Sequence, residues 1–183
     1  MTRPAGRRWV WYRSVAVQLV AIILAGVAGC TCRYSFSQSS LPAHIRTVAV
    51  PVFLNETVEP SLQQEVTDAV SQAFLDNGSL RVVPEREADS AIYGTIIGYL
   101  NHVFGYNADE QTEEYEVVIE MSVEFKDLVK RKSRWQEERL VGRTTYFVVE
   151  TSGQEAQTEV SGRAQAIESL AQDILNRTVR SWN

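Results

Sequence analysis

An alternation of apolar and polar side chains dominates the middle of the chain. Within residues 112–127, the odd positions from Tyr115 to Phe125 are apolar, and the even positions between them are polar or charged except for Val118. A side-chain period of two is typical of a β-strand with one buried face and one solvated face. At about 3.4 Å per residue, this segment would span about 54 Å. We therefore predict an unusually long strand in a sheet that is covered on one side.

Weaker patterns predict the elements around this strand. Apolar residues at helical spacing predict helices at 60–77 and 161–182, the first ending at the left-handed stop Asn77-Gly78. Apolar and β-branched runs predict further strands at 47–53, 80–83, 91–104 and 133–149. The order β-α-β-β-β-β-α predicts an α+β fold: a two-layer sandwich with a mixed, mostly antiparallel sheet and two helices on one face.

Three residues add local expectations. Pro51 has no amide hydrogen to donate to a sheet, so we expect it at an edge or at a strand end. Gly94 and Gly98 recur on one side of their strand, which predicts that another element approaches that side closely.

The first thirty residues have the layout of an export signal. A head containing four arginines and no acidic residue precedes an apolar run, 15–27, that is interrupted only by Gln18 and is too short to span a bilayer. The run ends in Val27-Ala28-Gly29-Cys30, which resembles the lipobox of bacterial lipoproteins. We predict cleavage after Gly29 and attachment of a diacylglycerol and an N-acyl chain to Cys30. The alternative is an uncleaved anchor in which Cys30 is incidental.

The chain then divides into three parts. Residues 1–29 form the signal peptide, residues 30–46 a Ser-rich lipidated tether, and residues 47–183 a single domain. Thr31, rather than Asp, follows the lipidated cysteine. By resemblance to the sorting rule of enteric bacteria, this predicts an outer-membrane lipoprotein whose body faces the periplasm.

Composition excludes several functions. Loss of the four signal-peptide arginines changes the formal net charge from −5 to −9, so nucleic acid is not an expected partner. Cys30 and Cys32 are the two cysteines, and lipidation of the first leaves no pair for a disulfide. His44 and His102 have no spacing typical of metal ligands. With no assembled nucleophile, base or metal set, we predict that the protein is not an enzyme and needs no cofactor.

Two charged groups remain. Glu116, Glu120 and Glu124 alternate along the long strand, as on a solvated face. At the turn to the following strand, cations gather against the acidic background: Lys126, Lys130, Arg131, Lys132 and Arg134. Such a turn can dock an anionic headgroup or a phosphorylated glycolipid. The alternative is that it only provides solubility and edge protection.

Several segments, in order, resemble the LptE family of lipopolysaccharide-assembly lipoproteins. They are Cys30-Thr-Cys-Arg-Tyr-Ser-Phe-Ser, Thr47-Val-Ala-Val-Pro-Val-Phe, Glu59-Pro-Ser-Leu, Leu80-Arg-Val-Val, Ala88-Asp-Ser-Ala-Ile-Tyr-Gly-Thr-Ile and Asp173-Ile-Leu-Asn-Arg-Thr. The resemblance implies a non-catalytic protein that sits in the LptD β-barrel, assists its assembly and helps lipopolysaccharide reach the outer leaflet. It also makes the five turn cations candidate lipopolysaccharide contacts. The turn departs from the family in lacking the expected glycine.

A second family resemblance stays open. The run Val48-Ala-Val-Pro-Val-Phe, a helix, and then Leu80-Arg-Val-Val also resemble periplasmic domains of the curli-secretion or penicillin-binding-protein-activator type. Those proteins are pore-forming or binding modules that share the lipid anchor.

Overall fold

The computed structural model describes residues 41–106, 112–148 and 155–180. The predicted signal peptide, Cys30, Cys32 and the first part of the tether lie outside these ranges. Within them, neither helix combines the length and apolarity needed to cross a membrane. The elements are β1 (Thr47–Ala49), β2 (Leu54–Asn55), α1 (Leu62–Asn77), β3 (Arg81–Val82), a 3-10 turn (Glu85–Glu87), β4 (Ser90–Tyr106), β5 (Thr112–Asp127), β6 (Lys132–Phe147) and α2 (Glu159–Arg180).

The strands form one mixed sheet in the order β3-β1-β4-β5-β6, with β2 paired to β4 further along the edge that β1 occupies. The pairs that involve β1 and β2 are parallel, and the three long strands β4, β5 and β6 are antiparallel to one another. Ile119 lies at the centre, opposite Tyr99 on β4 and Gly142 on β6. The predicted α+β class is confirmed.

β5 has the bounds and the faces that its alternation predicts. Its odd-numbered side chains from Val117 to Phe125 are at most 1% exposed, whereas its glutamates stay partly exposed. The buried face packs against residues of both helices, among them Leu62, Val66, Val70 and Phe74 of α1 and Ala166, Leu170 and Ile174 of α2. Burial of this face against two helices supplies the hydrophobic core.

The predicted first strand, 47–53, is wrong in one respect: it is divided into β1 and β2. Pro51 cannot donate to β4, and the chain leaves the ladder between Val50 and Phe53. The N–H of Phe53 instead donates to Thr67 Oγ1 on α1 at 3.0 Å, and its ring packs over Gly94. A Cβ at Gly94 would lie 3.0 Å from Phe53 Cδ1, so the close approach predicted there is real.

Gly142 is where α2 lies closest to the sheet. A Cβ at this position would be 2.6 Å from the carbonyl oxygen of Ala166 and would also overlap Leu170. Gly98 is different, because its nearest neighbour would be Glu120 Cβ at an ordinary 3.5 Å. Gly98 lies beside a register shift in β4, so the close approach predicted for it is wrong.

The ends of the helices differ slightly from prediction. α1 begins at Leu62 after Ser61, whose φ of 65° is left-handed, and it ends as predicted at Gly78, whose φ is 67°. α2 begins at Glu159, two residues before the predicted start. Its predicted end at residue 182 lies outside the described residues.

Candidate functional site

A tight turn joins β5 to β6. Residues 128–131 form it, and Asp127 closes it by accepting the N–H of Lys130 at Oδ1 over 2.8 Å. Arg131 takes the left-handed conformation, with φ of 53°, that glycine would adopt without strain. A non-glycine residue pays about 1–2 kcal/mol for this conformation. The absence of a glycine therefore does not change the turn; Arg131 adopts the required geometry.

The structure separates the five cations of the turn into two sets. Lys130, Arg131 and Lys132 are exposed together at the tip. Lys126 and Arg134 are half-buried on the two strands behind it. Arg134 is the extra residue in β6 where the register shifts between Phe125 and Lys126. The tip is thus a three-cation cluster, and the other two cations flank it.

A buried ion pair lies directly behind the tip. Asp127 Oδ2 is 2.7 Å from His44 Nε2, and only 1% of the Asp127 side chain is exposed. Burial raises the pKa of the Asp127 carboxyl, but hydrogen bonds from the Lys130 backbone and from His44 outweigh burial, so this pKa lies below its usual value. His44 comes from the segment 41–46 that the sequence assigns to the tether.

Asp89 makes a second clamp on the same segment. Its Oδ2 accepts the N–H groups of Arg46 and Thr47 at 3.0 and 3.1 Å and the Thr47 hydroxyl at 2.9 Å. The Arg46 N–H is the main reason why the pKa of Asp89 lies below its usual value. The carbonyl of Asp89 in turn accepts the N–H of Leu128 at 2.9 Å. Two carboxylates therefore fasten the incoming chain to the base of the turn.

Sequence reasoning missed both clamps. Asp89 and His44 are 38 and 83 positions away from Asp127, so no local pattern connects them. The available signal was an aspartate at the junction of a strand and a turn, a position where such side chains often bind nearby backbone N–H groups.

The acidic row of β5 carries no ligand geometry. Glu120 accepts a hydrogen bond from Arg139 Nε at 3.0 Å, which lowers the Glu120 pKa, and Glu116 Oε2 lies 3.5 Å from His102 Nε2. Across the described ranges, no group of three or more His, Cys, Asp or Glu side chains is placed to hold a metal ion.

The face of the sheet opposite the helices exposes apolar side chains. Leu54 is 67% exposed, Ile97 41% and Leu100 54%. Beside Leu54 lies an open groove of about 410 Å³, lined partly by Tyr93. The hydroxyl of Tyr93 donates to Glu85, and this hydrogen bond raises the pKa of Tyr93 to about 12. This face, named here the open face, can contact another protein.

Solved structures with a similar fold come from bacteria. A PelC dodecamer from Paraburkholderia phytofirmans is 15% identical over 79% of this chain and 94% of that chain, with a TM-score of 0.50. Protein XCC0632 from Xanthomonas campestris is 12% identical over 75% and 88%, with a TM-score of 0.50. Uncharacterized lipoprotein B from Nitrosomonas europaea is 14% identical over 76% and 84%, with a TM-score of 0.49. At such identities, the likeness concerns the fold alone.

The family comparison is more specific. No curated protein matches the chain. Residues 45–181, which include both helices, all six strands and the basic turn, match the family described as LptE, lipopolysaccharide-assembly. The match confirms the family inferred from the sequence segments, and the family is one of assembly lipoproteins rather than of enzymes. The chain belongs to the LptE family of lipopolysaccharide-assembly proteins.

Proposed function

We propose that this protein is an outer-membrane lipoprotein that assists assembly of an LptD-type β-barrel and delivery of lipopolysaccharide to the outer leaflet. The family match over 45–181 is the observation that carries this proposal. Cys30 holds the diacylglycerol and the N-acyl chain, palmitate being a candidate for the latter, and the domain faces the periplasm. The role needs neither a catalytic residue nor a cofactor.

The open face is the proposed contact with the barrel. Exposed Leu54, Ile97 and Leu100 would lose contact with water when covered by a partner, which favours association. The helices already cover the other face of the sheet, so the open face is the broad apolar surface that remains for a partner among the described residues.

The tip cations are the proposed contact with lipopolysaccharide. Lys130, Arg131 and Lys132 project from a turn that is stiffened by the Asp127 hydrogen bonds, so their charge is presented without disturbing the core. Phosphate groups bind Lys and Arg side chains through charge-assisted hydrogen bonds. The strained backbone of Arg131 supports a functional role, because glycine would form the same turn without strain.

Co-purification tests the proposed partner. The lipidated full-length protein, extracted in mild detergent, should bring down a large β-barrel protein, and its depletion should reduce lipopolysaccharide at the cell surface. Recovery of a peptidoglycan synthase, or of a homo-oligomeric ring without a barrel, would contradict the proposal. That result would favour the curli-secretion or penicillin-binding-protein-activator alternative, which the family match does not favour.

Charge reversal tests the proposed ligand. Changing Lys130, Arg131 and Lys132 to Glu should change the free energy of unfolding by less than about 0.5 kcal/mol per site, because exposed substitutions rarely do more. Binding to lipopolysaccharide should fall sharply, and binding by the unchanged protein should weaken with salt. A matched control reverses three exposed arginines elsewhere: Arg86, Arg139 and Arg143. Binding that ignores the tip reversal and the ionic strength alike would leave the cluster with a role in solubility only.

A further inference from the structure

The basic tip is part of a larger cationic surface. β1, β3 and β4 are parallel, so their first residues lie at one end of the sheet. β5 is antiparallel to β4, which brings the end of β5 and the start of β6 to that same end. Arg46 directly precedes β1 and Arg81 opens β3, and the Arg81 N–H donates to the Arg46 carbonyl at 3.1 Å. We name this surface the cationic end; its exposed cations are Arg46, Arg81, Lys130, Arg131 and Lys132.

The acidic residues of the cationic end point inward. Asp127 is buried against His44, and Asp89 is occupied by the backbone of Arg46 and Thr47. Both carboxylates therefore organise the surface, while the cationic side chains extend to solvent. The exposed acidic residue nearest in sequence, Glu87, is paired with Arg86 at 3.1 Å.

An exposed apolar residue lies among the cations. Val129 is 61% exposed at the tip, next to Lys130. Cations mixed with an exposed aliphatic side chain suit a bilayer surface, since the cations meet lipid phosphates while the aliphatic group reaches the acyl boundary.

The course of the chain points to the same surface. The segment that leads from Cys30 reaches the domain at the cationic end, where His44 and Asp127 hold it. Cys30 is fourteen residues before His44, a stretch that spans at most about 50 Å when fully extended. β5 alone is sixteen residues, or about 54 Å, long. With the anchor in a leaflet, the cationic end can lie on that leaflet with a relaxed chain, whereas the far end would need almost the full reach.

We propose that the cationic end docks onto anionic phospholipid headgroups of the leaflet that holds the lipid on Cys30. This inference rests on the proposed lipidation of Cys30 but not on the proposed binding of lipopolysaccharide. Arg46 and Arg81, which lie outside the turn, belong to this surface. Its ligand is a lipid phosphate supplied by the bilayer, and its effect is to set the orientation of the domain on the membrane.

Two valines at opposite ends of the domain provide matched reporters. Val129 is 61% exposed at the tip, and Val160 is 65% exposed at the start of α2, beside the far end of β6. The lipidated full-length protein, in a Cys32→Ser background, would carry a fluorophore on either Val129→Cys or Val160→Cys. It would be reconstituted into vesicles containing a headgroup-linked quencher, made of phosphatidylcholine with or without phosphatidylglycerol.

The Val129 fluorophore should be quenched in vesicles with phosphatidylglycerol and much less in phosphatidylcholine alone, and salt should reduce the quenching. The Val160 fluorophore should stay bright in both. Arg46→Glu together with Arg81→Glu should abolish the difference, whereas Arg143→Glu, an exposed reversal on the open face, should preserve it. Arg46→Gln with Arg81→Gln provides a milder pair should the reversals lower the melting temperature.

Equal quenching at both valines, or quenching that does not depend on phosphatidylglycerol, would overturn the proposal. Quenching of the Val129 fluorophore only after lipopolysaccharide is added would also overturn it, because the phosphate would then come from lipopolysaccharide. That last result would leave the proposed function standing. Loss of barrel co-purification with intact docking would have the opposite meaning.

Discussion

Replacing Gly142 with Ala tests how α2 is seated on the sheet. The new Cβ would lie 2.6 Å from the Ala166 carbonyl oxygen, against an ordinary contact of at least 3.4 Å, so the helix and the strand must separate by about 0.8 Å. The obstacle is backbone, and Leu170 beside it is 1% exposed, so neither can swing away. Overpacking of this kind costs about 1–3 kcal/mol.

A smaller opposing effect reduces that cost. Alanine lowers the conformational entropy of the unfolded chain, which stabilises the folded state by about 0.4–1 kcal/mol. We therefore expect the Gly142→Ala protein to lose about 1–2 kcal/mol in the free energy of unfolding. For a domain of this size, the melting temperature should fall by about 2–8 °C. Urea denaturation followed by circular dichroism measures the free energy, and a thermal scan measures the midpoint.

Gly98→Ala is the matched control. Its Cβ would meet Glu120 Cβ at 3.5 Å, an ordinary contact, so only the entropic effect remains. Its stability should equal or exceed that of the unchanged protein by up to about 1 kcal/mol. Unfolding free energies that rise equally in both variants would refute the close seating of α2 on Gly142.

Three further outcomes are expected. Cys30→Ala should abolish metabolic labelling with a fatty acid; label that persists would contradict lipidation at Cys30. Ile119→Asp places a charge at a site with no exposure and should cost at least about 4 kcal/mol, visible as loss of the cooperative melt. Asp127 has a lowered pKa when folded, so its stabilisation is complete above the ordinary carboxyl pKa near 4 and is lost as pH falls below it. Urea titrations at pH 7 and pH 3 should therefore differ less for Asp127→Asn than for the unchanged protein.

Local patterns were enough for the long elements of the fold. The alternation in 112–127 predicts β5 to the residue because every odd side chain from Val117 to Phe125 is buried by helices that require a single face. Helical spacing and Gly78 predict the end of α1 for an equally local reason. The division at Pro51 was not predicted, since it depends on Phe53 finding Gly94 and Thr67, which are distant in sequence.

The candidate site was predicted in part for the same reason. Lys130, Arg131 and Lys132 are adjacent in sequence, so their cluster is visible without a structure. Arg46 and Arg81 join them only because parallel pairing aligns the starts of β1 and β3. That alignment depends on strand order, which no single segment encodes.

The long-range pairing of β1 also constrains the timing of export. A chain that crosses a membrane with its N-terminus first delivers Val48 forty-two residues before its partner Ser90, and His44 eighty-three residues before Asp127. The lipid-modification site therefore emerges while the strand that follows it has no sheet to join. Enzymes that act on Cys30 would meet an unfolded, accessible segment, and closure of the domain would come only after the β5–β6 hairpin has crossed.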